Sequence, residues 1–123
     1  MNLGHIESEA FSASAGQADD VLEVTLVGNA DLRVRQELAD WLLSLHREAL
    51  ELQARRVVVD VMELEFMNSS CFKGFVSWLT EIMALPKEAQ YRVHFRSNPE
   101  TLWQRRSLHA LRSLALMIVT VEG

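Results

Sequence analysis

Apolar and polar residues alternate from Val21 to Val27, which is typical of a β-strand with one buried face. The apolar side of this strand is formed by Leu22, Val24 and Leu26. Gly28-Asn29 predicts the end of the strand, because both residues favour turns. The preceding residues are weakly patterned. Ser8–Ala13 predicts a short strand, and the small, polar residues Ser14–Asp20 predict a hairpin connection.

Three later segments are predicted as helices, the first two because their apolar residues repeat at the helical period of 3.6. The first runs from Leu32 to Leu52, and its apolar stripe is Val34, Leu38, Trp41, Leu42, Leu45, Ala49 and Leu52. The second runs from about Ser70 to Leu85, and its stripe is Phe72, Phe75, Val76, Leu79, Ile82 and Met83. The third is predicted to begin with Asn98 as its cap and Pro99 at the first helical position.

A run of valines predicts the central strand of the sheet. From Val57 to Val61 apolar and polar residues do not alternate, which is typical of a strand that is covered on both faces. Further strands are predicted at Tyr91–Phe95 and Leu116–Val121. The order is β-β-α-β-α-β-α-β, and right-handed crossovers turn it into a mixed, mostly parallel sheet with helices mainly on one face. We therefore expect one α/β domain spanning residues 1–123.

Composition and charge narrow the class of protein. The chain is 49% hydrophobic and 24% charged, as in ordinary globular domains, and its net charge is −5. An acidic surface disfavours binding to nucleic acid or to anionic membrane surfaces. The single cysteine, Cys71, fits a reducing compartment, and neither a signal peptide nor a membrane-spanning run is predicted. We expect a cytoplasmic protein.

Two segments resemble a known family of regulatory domains. Residues 24–31 place Gly28 and Asp31 after a strand, similar to the family's strand followed by Gly-x-x-Asp. Residues 57–70 join a strand and a loop to Asn68-Ser69-Ser70, followed by Cys71. This order resembles the STAS domain of anti-sigma-factor antagonists and sulfate transporters. In that family the loop carries an Asp-Ser-Ser-Gly phosphorylation motif, so Asn68 stands in place of Asp and Cys71 in place of Gly.

The resemblance implies a STAS-like fold and a non-enzymatic regulatory function based on protein binding. The partner would be a regulatory kinase, an anti-sigma-like protein or a subunit of a larger assembly, and a homo-oligomer is compatible with this. Ser69, and next to it Ser70, would be the phosphorylated residue. Asn68 favours a constitutive, unphosphorylated adaptor instead. A phosphate at a helix start would be tolerated by the fold and would change which partner can dock.

The flank of the second helix is the other candidate contact surface. Cys71, Trp78 and Leu85 lie together beside the core stripe, with Gly74 on the same side, so the apolar surface is wider than one sheet-facing stripe needs. An exposed tryptophan would be a good contact anchor, whereas a third element covering Trp78 would make it core. The resemblance favours the contact surface, because members of the family meet their partners with this helix and the serine loop. Together the resemblance and the flank predict these partner-binding residues: Asp31, Asn68, Ser69, Ser70, Cys71, Gly74 and Trp78.

The same residues are compatible with two other classes of function. A small hydrolase or redox protein would use Ser69, Ser70 or Cys71 as nucleophile, and a helix start would lower the pKa of the Cys71 thiol. The sequence names no base for such a nucleophile, and the four histidines show no metal spacing. Accordingly, no catalytic residue, metal or cofactor is predicted. A small-ligand-binding domain would show a concave pocket above the strand ends. Asn68, Ser69 or Ser70 would otherwise serve only as a helix cap.

Overall fold

The elements alternate in the predicted order, with one additional short strand at the start. A computed structural model describes residues 3–123. The strands are β1 (Ile6–Glu7), β2 (Phe11–Ala18), β3 (Val21–Ala30), β4 (Arg56–Met67), β5 (Arg92–Arg96) and β6 (Val119–Glu122). The helices are α1 (Arg35–Glu51), α2 (Ser69–Met83) and α3 (Leu102–Leu114), with 3-10 turns at Leu32–Val34 and Lys87–Ala89.

The six strands form one mixed sheet whose spatial order follows the sequence from β1 to β6. The pairs β1–β2 and β2–β3 are antiparallel, and β3 to β6 are parallel. Each crossover steps to the next strand in the same direction, so right-handed connections place all three helices on one face. The valine run of β4 lies between β3 and β5, which confirms its predicted central position.

The central strand is covered by helices on one face only, so the prediction of two covered faces is wrong. Val57, Val59 and Val61 join the core beneath the helices. On the other face Asp60 is half-buried and Met62 is exposed. Val58 also points to this open face, yet it is buried between its register neighbours Glu23 and His94. Long side chains on adjacent strands can cover a valine in this way, because opposing residues on one sheet face are neighbours.

The amino-terminal hairpin is longer than predicted. Strand β2 continues through Ala18, and the turn is confined to Asp19-Asp20, where Asp19 adopts a positive φ of 57°. Pairing with β3 overrides the weak strand propensity of the small residues in the segment predicted as a connection. Strand β3 likewise continues past Gly28 to Ala30, with a register shift after Gly28. Gly28 has a φ of 96°, and a side chain there would collide with the backbone of Ala10.

The third helix and the last strand both begin later than predicted. Asn98 does not cap α3; its Oδ1 accepts a hydrogen bond from the backbone N–H of Glu100 at 3.0 Å and closes a local turn. The helix begins at Leu102, after Thr101, so Pro99 lies outside it. Strand β6 begins at Val119, because residues 115–118 form a turn, in which Leu116 and Met117 are exposed.

Candidate partner-binding site

The predicted loop residues lie where the carboxyl ends of the parallel strands β3 and β4 meet. Strands β3 and β4 are parallel, and Ala30 pairs with Met67 at their carboxyl ends. The residues that follow these two ends therefore emerge side by side. We call the following surface the serine edge: Asp31, Leu32, Phe66, Asn68, Ser69 and Ser70.

Asn68 holds the start of α2 against the sheet. Its side-chain Oδ1 accepts a hydrogen bond from the backbone N–H of Ser70 at 2.8 Å, which is the geometry of a helix N-cap. Its own backbone N–H donates to the carbonyl of Ala30 at 2.8 Å, and its carbonyl accepts from the N–H of Phe72 at 3.0 Å. The side chain of Asn68 thus makes the helix cap that its residue type predicts. The loop conformation is fixed from both sides.

The two serines differ in exposure. Ser69 is the first residue of α2 and is exposed, whereas Ser70 is half-buried. Lys73 lies four residues after Ser69 on the same helix face and is also exposed. An anion attached to Ser69 would therefore meet the positive end of the helix dipole and a nearby ammonium group.

Asp31 caps the 3-10 turn that leads from β3 into α1. Its carboxylate accepts from the backbone N–H of Arg33 at 2.9 Å and pairs with the guanidinium of Arg33 at 2.7 Å. The hydrogen bonds from the Arg33 side chain and backbone lower the pKa of Asp31. The side chain is half-buried at the edge of the loop, with its oxygens already engaged. Asp31 therefore stabilises the local turn, and a direct contact to a partner stays a prediction.

Cys71 is buried beneath the serine edge, and its environment opposes reactivity. The thiol donates to the backbone carbonyl of Asp31 at 3.3 Å and lies within the core. Burial raises the pKa of the Cys71 thiol. The expected lowering of that pKa at a helix start is therefore wrong, because desolvation of the thiolate dominates. As a contact residue for a partner, Cys71 is inaccessible in this structure.

The flank of α2 is core, so the predicted exposure of this surface is wrong. Trp78 is 0% exposed, and its indole N–H donates to the hydroxyl of Tyr91 at 2.8 Å. Gly74 is buried against α1, where an added Cβ would lie 3.6 Å from Ala39. This flank is covered by α1 and by the segment that leads into β5. Neither Gly74 nor Trp78 can touch a partner while the domain is folded.

Two exposed apolar residues at the serine edge were not singled out from the sequence. Leu32, directly after Asp31, is 51% exposed, and Phe66, two residues before Asn68, is 46% exposed. The sequence pattern predicts Leu32 in a helix and Phe66 in the loop before the serines. Their only signal is chemical: each is a large apolar side chain next to a polar loop. Exposure itself depends on which elements cover that edge.

The remaining candidate groups lie away from the serines. His46 lies 2.7 Å from the hydroxyl of Tyr91, and His94 lies 2.7 Å from the carboxylate of Glu122. Residues 3–123 contain no cluster of three or more metal-ligating side chains of the kind His, Cys, Asp and Glu provide. Within the same residues, no helix combines the length and hydropathy that crossing a membrane requires.

The outer half of β4 is completed by side chains of α3 instead of by a further strand. Beyond Asp60, β4 pairs only with β3. Gln104 Nε2 donates to the carbonyls of Val61 at 2.7 Å and Leu64 at 2.9 Å, and the Trp103 indole donates to that of Glu65 at 2.7 Å. An open cleft of about 420 Å³ lies beside this strand, lined mainly by carboxylate, polar and backbone groups. Such a cleft lacks the apolar enclosure of typical small-ligand sites.

Comparisons with known proteins identify the fold. No family model and no curated protein sequence matches the chain. A solved anti-sigma factor antagonist from Mycobacterium paratuberculosis is 16% identical and superimposes with a TM-score of 0.64 over 88% of this chain and 86% of that one. The anti-sigma factor antagonist SpoIIAA in its unphosphorylated form is 13% identical, with a TM-score of 0.62 over 90% and 88% of the two chains.

A third similar structure is the phosphorylated form of SpoIIAA, described as a Bacillus cell fate determinant. It is 12% identical, with a TM-score of 0.58 over 90% of this chain and 91% of that one. Because sequence identity is so low, these likenesses establish the fold and leave the function to be argued from the site. The predicted STAS-like α/β fold is confirmed.

Proposed function

We propose that this chain is a non-enzymatic regulatory module of one domain that binds a partner protein through the serine edge. The observation that carries the proposal is the exposed Ser69 on a capped helix start, with the exposed apolar residues Leu32 and Phe66 in the two chain segments that the Ala30–Met67 pairing brings together. The partner is a regulatory kinase, an anti-sigma-like protein or a subunit of a larger assembly. The likeness to anti-sigma factor antagonists supports this class of function.

The chemistry of the serine edge suits a protein contact. Leu32 and Phe66 offer apolar area that a partner can remove from water, at about 25 cal/mol for each Å² buried. Asp31, Asn68 and Ser69 are polar residues in the same two segments. Protein interfaces have this composition, with a dehydrated apolar centre and a polar rim. The backbone of the loop is already fixed by Asn68, so docking does not have to order it.

Phosphorylation of Ser69 would regulate the contact. A phosphate would add about −1.5 to −2 charges at this surface without unfolding α2, because a helix start and Lys73 accommodate an anion. Those charges would then have to be desolvated when the partner docks, which weakens binding. Without a kinase that accepts Asn68 in place of aspartate, the same surface works as a constitutive adaptor.

An affinity purification with matched baits tests the proposal. Wild-type protein, Phe66→Ser and Ser69→Asp are used as baits in extracts of the native cell, and retained proteins are quantified by mass spectrometry. We expect one or more proteins that the wild type retains to be reduced at least about tenfold on both variants, as loss of an interface anchor produces. Leu43→Ser on the surface of α1 and Ser69→Asn are the matched controls.

The stability of every bait is measured by thermal melting, so that unfolding cannot mimic lost binding. If the Phe66→Ser and Ser69→Asp baits stay folded and retain the same proteins as the wild type, the serine edge is not the docking surface. Mass spectrometry of Ser69 in protein isolated from the native cell then separates the two modes of action. Phosphate on Ser69 supports the switch, and its absence under all growth conditions supports the constitutive adaptor.

A further inference from the structure

The outer edge of β2 is unpaired along most of its length. Strand β1 covers only Ser12 and Ala13, so residues 14–18 have β3 on one side and no strand on the other. The chain does not continue β1 along this edge, because the Gly4 carbonyl accepts a hydrogen bond from the Trp41 indole at 2.7 Å and is held towards α1. We call residues 14–18 the open edge.

Two residues of the open edge direct their backbone hydrogen-bonding groups outward. The Phe11 carbonyl accepts from the backbone N–H of Ser8, so the backbone groups of Phe11 point away from β3. These directions alternate along an antiparallel strand, and the register of β2 with β3 runs unbroken from Phe11 to Ala18. The N–H and C=O groups of Ala15 and Gln17 therefore point outward as well, and within residues 3–123 no backbone group pairs with them.

Two other edges of the sheet are protected, whereas the open edge is not. Strand β6 is four residues long, and its Glu122 forms ion pairs with His94 and Arg96. The outer half of β4 is closed by side chains of α3. The open edge has the sequence Ser-Ala-Gly-Gln-Ala, without a charge or a proline. Because such residues normally block exposed edges, an edge that lacks them is a template for a further strand.

Gly16, in the middle of the open edge, is not required by the fold of the domain. Its φ is not positive, and a Cβ added to it would meet no atom within 4 Å. A glycine inside a strand weakens the strand and often marks a place where another backbone approaches closely. Gly16 lies where an added strand would pass.

The surroundings of the open edge determine which side chains an added strand should carry. Gly16 pairs in register with Glu23 on the sheet face without helices. Glu23 is exposed, and its carboxylate makes no ion pair with the described residues. Because Gly16 has no side chain, a lysine or arginine opposite it can reach across to Glu23, with about 10 Å between the two backbones. On the other face Ala15 packs against the core, so an apolar side chain opposite it would bury further apolar surface.

We propose that the open edge of β2 binds an extended segment of a partner protein in which apolar and basic side chains alternate. The segment adds a strand antiparallel to β2, in line with β1, and exchanges backbone hydrogen bonds with Ala15 and Gln17. Its basic side chains pair with Glu23, and its apolar side chains lie beside Ala15. The net charge of −5 favours a basic segment over a second copy of the chain. None of these residues belongs to the serine edge, so the test is independent of the proposed function.

A titration with defined peptides, followed by NMR of the isotope-labelled full chain, tests the assignment. The probe is acetyl-Val-Lys-Val-Lys-Val-Lys-amide, and its neutral counterpart contains Gln in place of Lys. We expect amide shifts centred on residues 14–18, and at least about threefold tighter binding of the basic peptide, an advantage that added salt reduces. Glu23→Gln should lower this preference at least about twofold. Glu51→Gln, which changes the net charge equally at an exposed position of α1, should leave it unchanged.

Methylation of the peptide backbone separates strand addition from side-chain attraction. Methyl groups on the valine nitrogens should abolish binding, because those N–H groups face the carbonyls of Ala15 and Gln17, whereas methyl groups on the lysine nitrogens should leave binding intact. Ala15→Pro should abolish binding from the protein side, because its outward N–H is not used in pairing with β3. Melting curves accompany all variants, and the methylated peptides decide the matter if Ala15→Pro does not fold.

Equal binding of the two methylated peptides, equal binding of the basic and neutral peptides, or shifts centred outside the open edge would overturn the proposal. So would slow hydrogen exchange at the Ala15 and Gln17 amides of the free monomer, because it would show that the same chain already covers this edge. Dimerisation that is seen by sedimentation and abolished by Ala15→Pro would identify a second copy as the occupant and would overturn the proposal as well.

Discussion

Helices α2 and α3 pack on the same face of the sheet, yet they differ in how much of each is buried. Helix α2 lies between α1 and α3 in the helix layer, so even its flank residue Trp78 is fully buried. Helix α3 lies at the end of the layer, and its outer face is open, with Leu102 83% exposed. A wide apolar surface on a helix is therefore explained first by packing against helices on both sides, and only second by binding to a partner. A short helix with charged residues around half its circumference indicates an edge.

Replacing one large apolar residue on each helix should give the largest difference in the free energy of unfolding. Trp78→Ala should lower the free energy of unfolding by about 3–5 kcal/mol, because it leaves a cavity in the core. Leu102→Ala should change it by less than about 0.5 kcal/mol, because that side chain is already in water. Urea unfolding at neutral pH measures both. Similar losses in the two variants would refute the difference in burial.

The hydroxyl of Tyr91 allows a second test of the burial of α2, because it is the hydrogen-bond partner of Trp78 and His46 beneath that helix. It accepts from the Trp78 indole at 2.8 Å and lies 2.7 Å from Nδ1 of His46. Tyr91→Phe leaves both groups without this partner and should cost about 1–3 kcal/mol of stability. The effect should largely disappear in a Trp78→Phe/His46→Leu background, where neither group remains. An unchanged cost in that background would contradict the assigned network.

The same network makes stability depend on pH. Burial lowers the pKa of His46 in the folded domain, with Glu81 raising it and Arg47 lowering it to a lesser extent. The unfolded chain then binds more protons than the folded one, so stability is fully present above the unfolded pKa of about 6.5 and is lost as pH falls through it. Between about pH 7.5 and pH 5.5, the free energy of unfolding of the wild type should fall more than that of His46→Gln. Parallel curves would show that His46 remains accessible to protons.

The smallest effect expected concerns the contact of α2 with α1. Gly74 has ordinary helical geometry, and an added Cβ would lie 3.6 Å from Ala39 and 3.7 Å from Leu42, which is normal van der Waals contact. Gly74→Ala should therefore stabilise the domain by about 0.5–1 kcal/mol through its higher helix propensity. Thermal melting detects this as a small rise in Tm. A fall in Tm would mean that α1 and α2 pack more closely than these distances allow.

Elements that depend on the periodicity of apolar residues could be predicted from the sequence. Strand lengths and side-chain burial that depend on neighbouring elements could not. The apolar stripes of α1 and α2 and the central valine run depend on local pattern, and the structure places them in the core or packed against it. Strand β2 was shortened because small residues give little pattern, and only pairing with β3 extends it. Trp78 is predicted at the contact surface and lies in the core, because the burial of a helix flank depends on whether another helix lies beside it.

The candidate site was predicted in part for the same reason. The position of Ser69 at an exposed helix start followed from the resemblance, and the cap by Asn68 followed from residue type. Leu32 and Phe66 were missed, because their exposure is decided by the absence of a covering element at the edge of the sheet. The position of Cys71 at a helix start predicts a lowered thiol pKa, and its residue type predicts a small buried side chain; in the structure burial is the larger effect and raises that pKa.

Hydrogen–deuterium exchange of the complex with the partner from the affinity purification tests the central claim most directly. Exchange is followed for free and partner-bound protein at two regions, the serine edge with the first turn of α2 and the outer face of α3. Binding through the serine edge should slow exchange at residues 31–33 and 66–73 and leave residues 102–112 unchanged. Unchanged exchange at residues 66–73 in a fully bound sample would contradict the account.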